Sequence, residues 1–307
     1  MSAKFGPAGN SESFSKVYKS SLAAPKWIAD FGLDCYEYQC GKGVHVGEEA
    51  ARKIGENARA AGITLSLHAP YFINLANPDP DALQKTIGYI TAGCQVADWM
   101  GAARVVIHSG ALMKRPRREA LDIAKRSLVE VIAACDRQGF RHITLCPETM
   151  GKINQLGDLD EVLELCTLDG RLAPCIDFGH LYARSLGADD GQEAFCRMLD
   201  RVEKVLGRER ARTFHSHFSH IQFTPKGGEK CHRTFEDDDG YGPDWMPLAA
   251  EIARRGWSPT FICESAGTQA EDASAMKRIY EVFLRERRSS APAPGSHRSR
   301  EELHESH

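Results

Sequence analysis

The sequence lacks the features that mark membrane-spanning, secreted or dinucleotide-binding proteins. None of its apolar runs approaches the ~20 residues needed to cross a bilayer, so we expect no membrane partner. The opening stretch, MSAKFGPAGNSESF, has no basic segment followed by an apolar core, so we expect a cytoplasmic protein. The loop GPAGNSES does not have the GxGxxG spacing that a doubly wound nucleotide-binding sheet more often carries after its first strand.

A strong excess of charge of either sign is also missing. Lysine and arginine number 39 against 42 aspartates and glutamates, and a formal net charge of −3 gives no global attraction to nucleic acid. The ten cysteines include no CxxC pair, and Cys146 and Cys263 lie inside apolar runs. We therefore expect reduced, mostly buried thiols and no disulfide framework. Nothing in the sequence indicates a protein partner.

What the sequence does contain is an eightfold alternation of strand-like and helix-like segments. The strand-like runs cover residues 3–8, 33–38, 63–68, 103–108, 142–148, 173–178, 214–223 and 260–265. The helix-like stretches cover residues 13–31, 48–61, 81–100, 117–138, 159–166, 192–206, 245–255 and 272–287. This alternation predicts an α/β protein, a single (β/α)₈ TIM barrel over residues 1–287. The Pro-, Ser- and charge-rich segment 288–307 is predicted to be a disordered tail.

Metal-ligand residue types stand at the carboxyl ends of six successive predicted strands. In a barrel these ends converge on one face, where active sites lie. Strands three to eight bring there His68, His108, Glu148, Asp177 with His180, His217 with His220, and Glu264. Imidazole and carboxylate are ligands of zinc and similar ions, and the set exceeds the three or four that one zinc takes. Because clustered carboxylates also need a counter-charge, we expect two or three ions.

Each of these residues, taken alone, is more often structural than a metal ligand. His142 and His215 are interpreted as surface or packing residues, and Cys146 and Cys175 as core residues that precede the strand ends. The recurrence of ligand types at the same position on six strands favours a metal cluster over that simpler interpretation.

Several long segments are similar to one known family. HAPYFINLANP, VVIHSGA, ETMGKINQLG, CIDFGHLYA and FICESA resemble, in order and in register, the endonuclease IV family of zinc-dependent apurinic/apyrimidinic endonucleases within the xylose-isomerase-like TIM barrels. In the seventh strand, SHIQF aligns with the family's His-Leu-Asn-Asp segment, which selects His220 and leaves His217 as the runner-up. The resemblance implies metal-ligand roles for His68, His108, Glu148, Asp177, His180, His220 and Glu264.

The segment after the seventh predicted strand departs from the family pattern. The family has an Asp-x-His ligand pair there, and His232 matches its histidine, but the Asp position falls on Lys230. Glu229 is one candidate replacement, and the acidic run 237–239 is another. We therefore interpret the chain as a divergent member of the family.

The second departure concerns contacts with nucleic acid. The family's loop after strand two wedges into the duplex, whereas this chain has QCGKGVHVG, without a large apolar side chain. Lys42 and His45 are the candidate phosphate contacts in this loop. The basic run MKRPRREA in the strand-four loop adds Lys114 and Arg115 as candidates.

The resemblance implies a phosphodiesterase that acts on DNA containing abasic sites, or on another phosphate-bearing substrate, with two or three Zn²⁺ ions or with Mn²⁺. Glu148 would bridge two ions and Glu264 would support the attacking water, so these two are the predicted catalytic residues. The rival hypothesis is a sugar or sugar-phosphate isomerase or epimerase with one ion held by Glu148, Asp177, His220 and Glu264. A third hypothesis is a barrel that binds metal without catalysis.

Overall fold

Eight parallel strands form the centre of the protein, of which the computed structural model describes residues 2–290. These eight strands are β1 (Lys4–Pro7), β2 (Cys35–Gln39), β3 (Thr64–His68), β4 (Arg104–His108), β5 (Thr144–Glu148), β6 (Cys175–Asp177), β7 (His215–Phe218) and β10 (Thr260–Cys263), and outside the barrel lie β8 (His220–Thr224) and β9 (Gly228–Arg233). The parallel sheet has the order β1-β10-β7-β6-β5-β4-β3-β2. The amide of Asp34 donates to the Phe5 carbonyl at 2.8 Å across the remaining β1–β2 seam. The predicted TIM barrel is confirmed.

Helices between the strands form the outer layer. They are α1 (Glu12–Val17), α2 (Ala24–Asp30), α3 (Glu48–Ala61), α4 (Pro80–Met100), α5 (Arg117–Arg137), α6 (Leu159–Cys166), α7 (Phe178–Arg184), α8 (Gly191–Leu206), α9 (Arg208–Ala211), α10 (Trp245–Arg255) and α11 (Gln269–Ser290). α3, α4 and α10 end at Gly62, Gly101 and Gly256, whose positive φ angles of 72°, 72° and 66° suit glycine. Pro25 occupies the first turn of α2, so the predicted helix 13–31 is divided.

Two predicted boundaries differ from the structure. The run 214–223 is not one strand. β7 ends at Phe218, where the chain leaves the barrel, and β8 then pairs with β9 in a separate antiparallel hairpin. α11 continues to Ser290, beyond the predicted end of the barrel at residue 287. The rest of the predicted tail, residues 291–307, lies outside the described residues.

The interior of the barrel is polar where β2, β5 and β7 face one another. Along β7, His215 and His217 point towards Glu37 of β2, whereas Phe218 packs outward on Trp245 of α10 with ring centroids 5.0 Å apart. This period-two alternation places imidazoles inside and aromatic rings in the helix layer. All ten cysteines are free thiols. Within residues 2–290, no helix combines the length and apolarity needed to cross a membrane.

Candidate metal centre

Four imidazoles surround the carboxylate of Glu148, the last residue of β5. Its Oε2 lies 3.2 Å from His68 Nε2 and 3.4 Å from His108 Nε2. Its Oε1 lies 3.0 Å from His217 Nδ1 and 3.4 Å from His180 Nδ1. Glu148 is only 1% exposed, so its carboxylate depends on these imidazoles for its contacts. The barrel thus brings together residues from β3, β4, β5, β7 and α7.

Backbone carbonyls orient three of these rings: His180 Nδ1 lies 2.9 Å from the Thr149 carbonyl, with its Nε2 towards Glu229, and the other two rings face Glu148. His68 Nδ1 lies 2.7 Å from the Ala69 carbonyl, and His108 Nδ1 lies 2.9 Å from the Tyr71 carbonyl. Because a carbonyl oxygen only accepts hydrogen bonds, each Nδ1 must donate, which leaves the Nε2 of these last two rings directed at Glu148. Histidines that bind metals usually donate their other ring N–H in this way.

A second set of donor atoms meets beside Glu148. Asp177 accepts a hydrogen bond from the His180 amide at its Oδ1, at 2.7 Å, but its buried Oδ2 has no hydrogen-bond partner within residues 2–290. Glu264, just after β10, places Oε2 3.5 Å from His217 Nδ1. The four residues of this central group each offer one donor atom within 4.8 Å of the others: Glu148, Asp177, His217 and Glu264.

The chemistry of the central group fits a divalent cation. Burial raises the pKa of Asp177, with His180 opposing and the negative charges of Glu264 and Glu148 adding to the rise. Among the described residues Asp177 Oδ2 makes no hydrogen bond and lies 3.3 Å from His180 Nδ1, and beside two other carboxylates it requires either a proton or a positive charge. Carboxylate oxygen and imidazole nitrogen together are suitable ligands for zinc or manganese.

A third set, the outer group, comprises His180, Glu229 and His232. His180 Nε2 lies 3.6 Å from Glu229 Oε2, and the rings of His180 and His232 are 5.7 Å apart. His180, His232 and Glu264 also offer donor atoms within 4.8 Å of one another. Gly151 makes the approach possible, because a Cβ there would lie 2.7 Å from the Cβ of Glu229.

The structure places His220, selected as a ligand from the sequence, outside the donor groups. His220 follows the end of β7 and belongs to the hairpin, where its ring stacks on Phe235 with centroids 4.7 Å apart. Its Nδ1 is buried without a hydrogen-bond partner within residues 2–290, and it has no place in the three donor sets described above. His217, the runner-up, contacts Glu148 instead, because it is the inward-facing residue of the barrel strand.

The structure also distinguishes the candidates for the missing Asp ligand. Lys230 is exposed, whereas Glu229 faces His180. Asp237 accepts a hydrogen bond from the Thr234 amide at 2.8 Å, and Asp239 from Arg233 at 2.6 Å. The acidic run 237–239 therefore organises its own loop, and Glu229 is the carboxylate next to the outer group.

The protonation of the centre follows from its contacts. Burial acts to raise the pKa of Glu148, but the positive charge of His217 and hydrogen bonds from the surrounding imidazoles hold the pKa of this carboxyl well below its usual range. Burial acts to lower the pKa of His68, but the hydrogen bond and charge of Glu148 raise it to about 9. Without an ion, His68 therefore carries a proton at neutral pH that a bound ion would displace.

A cavity of about 310 Å³ opens above these residues, and Tyr71, Lys152 and Gln155 form part of its wall. Sequence reasoning missed Lys152, which follows the strand-five motif and is exposed. Tyr71 and Phe72 are 55% and 44% exposed and pack edge to face with centroids 5.7 Å apart. The wall of the cavity thus combines the cation of Lys152 with the accessible ring of Tyr71, on which the exposed ring of Phe72 packs.

The phosphate contacts predicted from the sequence lie elsewhere. Lys42 and Lys114 are exposed, and neither is among the residues that line the described cavity. Arg115 Nε lies 3.3 Å from Glu119 Oε1 at the start of α5, so its charge is already paired. Contacts between these three residues and a substrate remain predictions.

Sequence reasoning also missed Glu37, in the middle of β2. Glu37 is fully buried and accepts hydrogen bonds from His217, His215 and Ser66. His215, interpreted above as a surface or packing residue, is buried against this carboxylate. The signal in the sequence was an acidic residue within the otherwise uncharged run CYEYQC, which is unusual for a strand buried on both faces.

Residues 25–286 match the family model described as Xylose isomerase-like TIM barrel. The chain belongs to this xylose isomerase-like TIM barrel family. A family relative, a protein of Methanocaldococcus jannaschii described as uncharacterized, is 31% identical over 278 residues, which cover 91% of this chain and 97% of that one. A probable endonuclease 4 of Mycoplasma pneumoniae is 30% identical over 154 residues, or 48% of this chain and 51% of that one. The match therefore spans about half of that endonuclease.

Solved structures of xylose isomerase-like barrels show the same fold at low identity. A D-tagatose 3-epimerase-like protein has a TM-score of 0.67 at 18% identity, covering 87% of this chain and 97% of that one. Endonuclease IV from Thermus thermophilus has a TM-score of 0.62 at 19% identity, covering 87% and 94%. The predicted family resemblance is confirmed, with the chain as a divergent member, and both enzyme classes share its architecture.

Proposed function

We propose that the protein is a metal-dependent phosphodiesterase that cleaves the DNA backbone at abasic sites, with two or three Zn²⁺ ions or Mn²⁺. The observation that carries this proposal is the number of donors around one cavity. His68 and His108 face one oxygen of Glu148, the central group lies at the other, and His180, Glu229 and His232 form the outer group. One ion needs three or four such ligands, so this arrangement suits several.

Two glutamates, Glu148 and Glu264, would have different roles in such a reaction. Glu148 is shared between two of the donor groups, so its carboxylate would help to hold the ions of both. Glu264 is less buried than Glu148 and lines the cavity, where it can accept a hydrogen bond from the attacking water. Divalent ions in this position supply Lewis-acid stabilisation of the charge that develops on phosphoryl oxygens.

The mouth of the cavity supports a nucleic-acid substrate. Lys152 can pair with a backbone phosphate, and the exposed rings of Tyr71 and Phe72 offer faces on which bases can stack. These rings follow β3. They can occupy the space beside a missing base and so replace the wedge that the family carries in its strand-two loop. Matches to proteins named probable endonuclease 4 support the same substrate class.

One observation favours a second candidate, a sugar or sugar-phosphate epimerase or isomerase. The central group by itself supplies four ligands to a single ion: Glu148, Asp177, His217 and Glu264. Two carboxylates of this group could then move protons on a polarised ketose. This candidate leaves His68, His108 and His232 without a role, which is why we place it second.

The test is incision of a duplex that carries one abasic site by zinc- or manganese-loaded protein. Glu148→Gln retains the shape of the side chain but removes the charge that the ions need, so nicking is expected in the wild type and lost in this variant. His220→Asn, which alters a ring outside the donor groups, is the matched control and should nick normally. No nicking by wild-type protein with ions confirmed present, together with turnover of a ketose, would replace this proposal by the second candidate.

A further inference from the structure

The buried carboxylate of Glu37 joins two histidines of β7 across the inside of the barrel. Its Oε1 lies 2.9 Å from His217 Nε2 and 3.1 Å from Gln39 Nε2. Its Oε2 lies 2.8 Å from His215 Nε2 and 2.9 Å from Ser66 Oγ. Both oxygens therefore have two donors each, and the plane of the carboxylate is fixed by contacts on both sides.

These contacts determine which nitrogen of His217 carries the proton. An ionised carboxylate only accepts hydrogen bonds, so Nε2 of His217 must donate to Glu37. Nδ1 lies 3.0 Å from Glu148 Oε1 and 3.5 Å from Glu264 Oε2, so without an ion it donates to Glu148, and with an ion in place of that proton the ring is the neutral Nε2–H tautomer, whose Nδ1 lone pair faces the central group. Only this tautomer presents a ligand atom to the central group.

We infer that Glu37 is the positioning residue of the metal centre, which holds His217 in the Nε2–H tautomer with Nδ1 directed at the ion of the central group. Glu37 has no exposed surface, so it touches neither substrate nor solvent and acts only through His217. A carboxylate behind a metal-binding imidazole fixes the ring and makes it a stronger ligand. The inference rests on the proposed metal centre and adds a residue that the ligand motifs do not contain.

The first test is metal retention by Glu37→Gln. The amide keeps the size of the side chain but has only one accepting oxygen for the two histidines. The hydrogen bond that fixes the orientation of His217 is therefore weakened. We expect the affinity of the central ion to fall roughly 10–100-fold, with one ion fewer per chain after dialysis against a chelator. Ser66→Ala is the matched control, because Ser66 bonds the oxygen that does not touch His217, and it should retain all the ions.

The second test measures the wild-type protein and so does not depend on how well Glu37→Gln folds. ¹⁵N spectra of histidine-labelled wild-type protein report the tautomer of each ring, and the His217 signal is the one missing from His217→Asn. We expect protonated Nε2 in the metal-free and metal-loaded protein.

The outcomes separate this inference from the proposed function. Wild-type metal affinity in folded Glu37→Gln, or a His217 ring without a proton at Nε2, would overturn the role of Glu37 and leave the metal centre standing. Wild-type protein that binds no ion would instead remove the proposed function, whatever the tautomer of His217.

Discussion

His217 and His220 are three residues apart, yet only His217 faces the carboxylate of Glu148. We predict that His217→Asn loses one bound ion and most of the incision activity, because the central group loses a ligand. His220→Asn should retain both, since that ring stacks on Phe235 outside the centre. Elemental analysis and nicking rates of the two variants make the comparison. Loss of an ion in His220→Asn alone would restore the choice made from the sequence.

The raised pKa of His68 gives metal binding a defined pH dependence. Because Glu148 raises the pKa of His68 from 6.5 to about 9, its proton competes with an ion at lower pH. We predict that zinc affinity, measured by competition with a chelator, increases as the pH rises towards 9. His68→Gln lacks this proton and should show weaker binding with a shallower pH dependence. A pH-independent affinity in the wild type would contradict the assignment.

Lys152 and Lys114 are rival phosphate contacts. Lys152 lines the cavity, whereas Lys114 was selected from the basic run in the strand-four loop. We predict that Lys152→Ala raises KM for abasic duplex more than Lys114→Ala does, with kcat less affected in both variants. Steady-state incision kinetics at fixed salt provide the comparison. The opposite order would show that the strand-four loop holds the DNA backbone.

At the scale of whole elements, two helical glycines offer a matched pair. A Cβ on buried Gly55 of α3 would lie 2.2 Å from the Met100 carbonyl, whereas a Cβ on exposed Gly88 of α4 meets nothing within 4 Å. Gly55→Ala should lower the free energy of unfolding by about 1–3 kcal/mol through overpacking. Gly88→Ala should be neutral or raise it by up to about 1 kcal/mol. Urea unfolding measures both, and equal effects would contradict this account of α3–α4 packing.

The sequence predicted most elements because their signals are local. Glycines after α3, α4 and α10 stop those helices, and short, largely apolar runs mark the barrel strands. The hairpin was missed because residues 214–223 contain no glycine or proline, although the alternation breaks at Ser219 and His220 and TPKGG contains turn residues that could have indicated it. That omission also led to the choice of His220, since the end of β7 decides which histidine faces inward.

Glu37 could not be found by local reasoning. Its partners His215 and His217 are 178 and 180 residues away in the sequence, and only closure of the barrel brings them into contact. The same limit applies to Glu229, which reaches His180 because the hairpin folds over Gly151. Ligand types at strand ends are visible in a sequence, whereas the residues that orient them depend on the three-dimensional register.

At the scale of the whole molecule, the barrel brings the ends of six strands to one basin. The carboxylates that meet there repel one another unless a positive charge lies between them. The number of ions that this basin holds separates a phosphodiesterase with several ions from an epimerase with one. The most direct measurement is elemental analysis of fully loaded, extensively dialysed protein, combined with anomalous scattering from its crystals. The account predicts two or three ions, one of them bound by Glu148, Asp177, His217 and Glu264. A single ion in that position, with the other histidines empty, would contradict it.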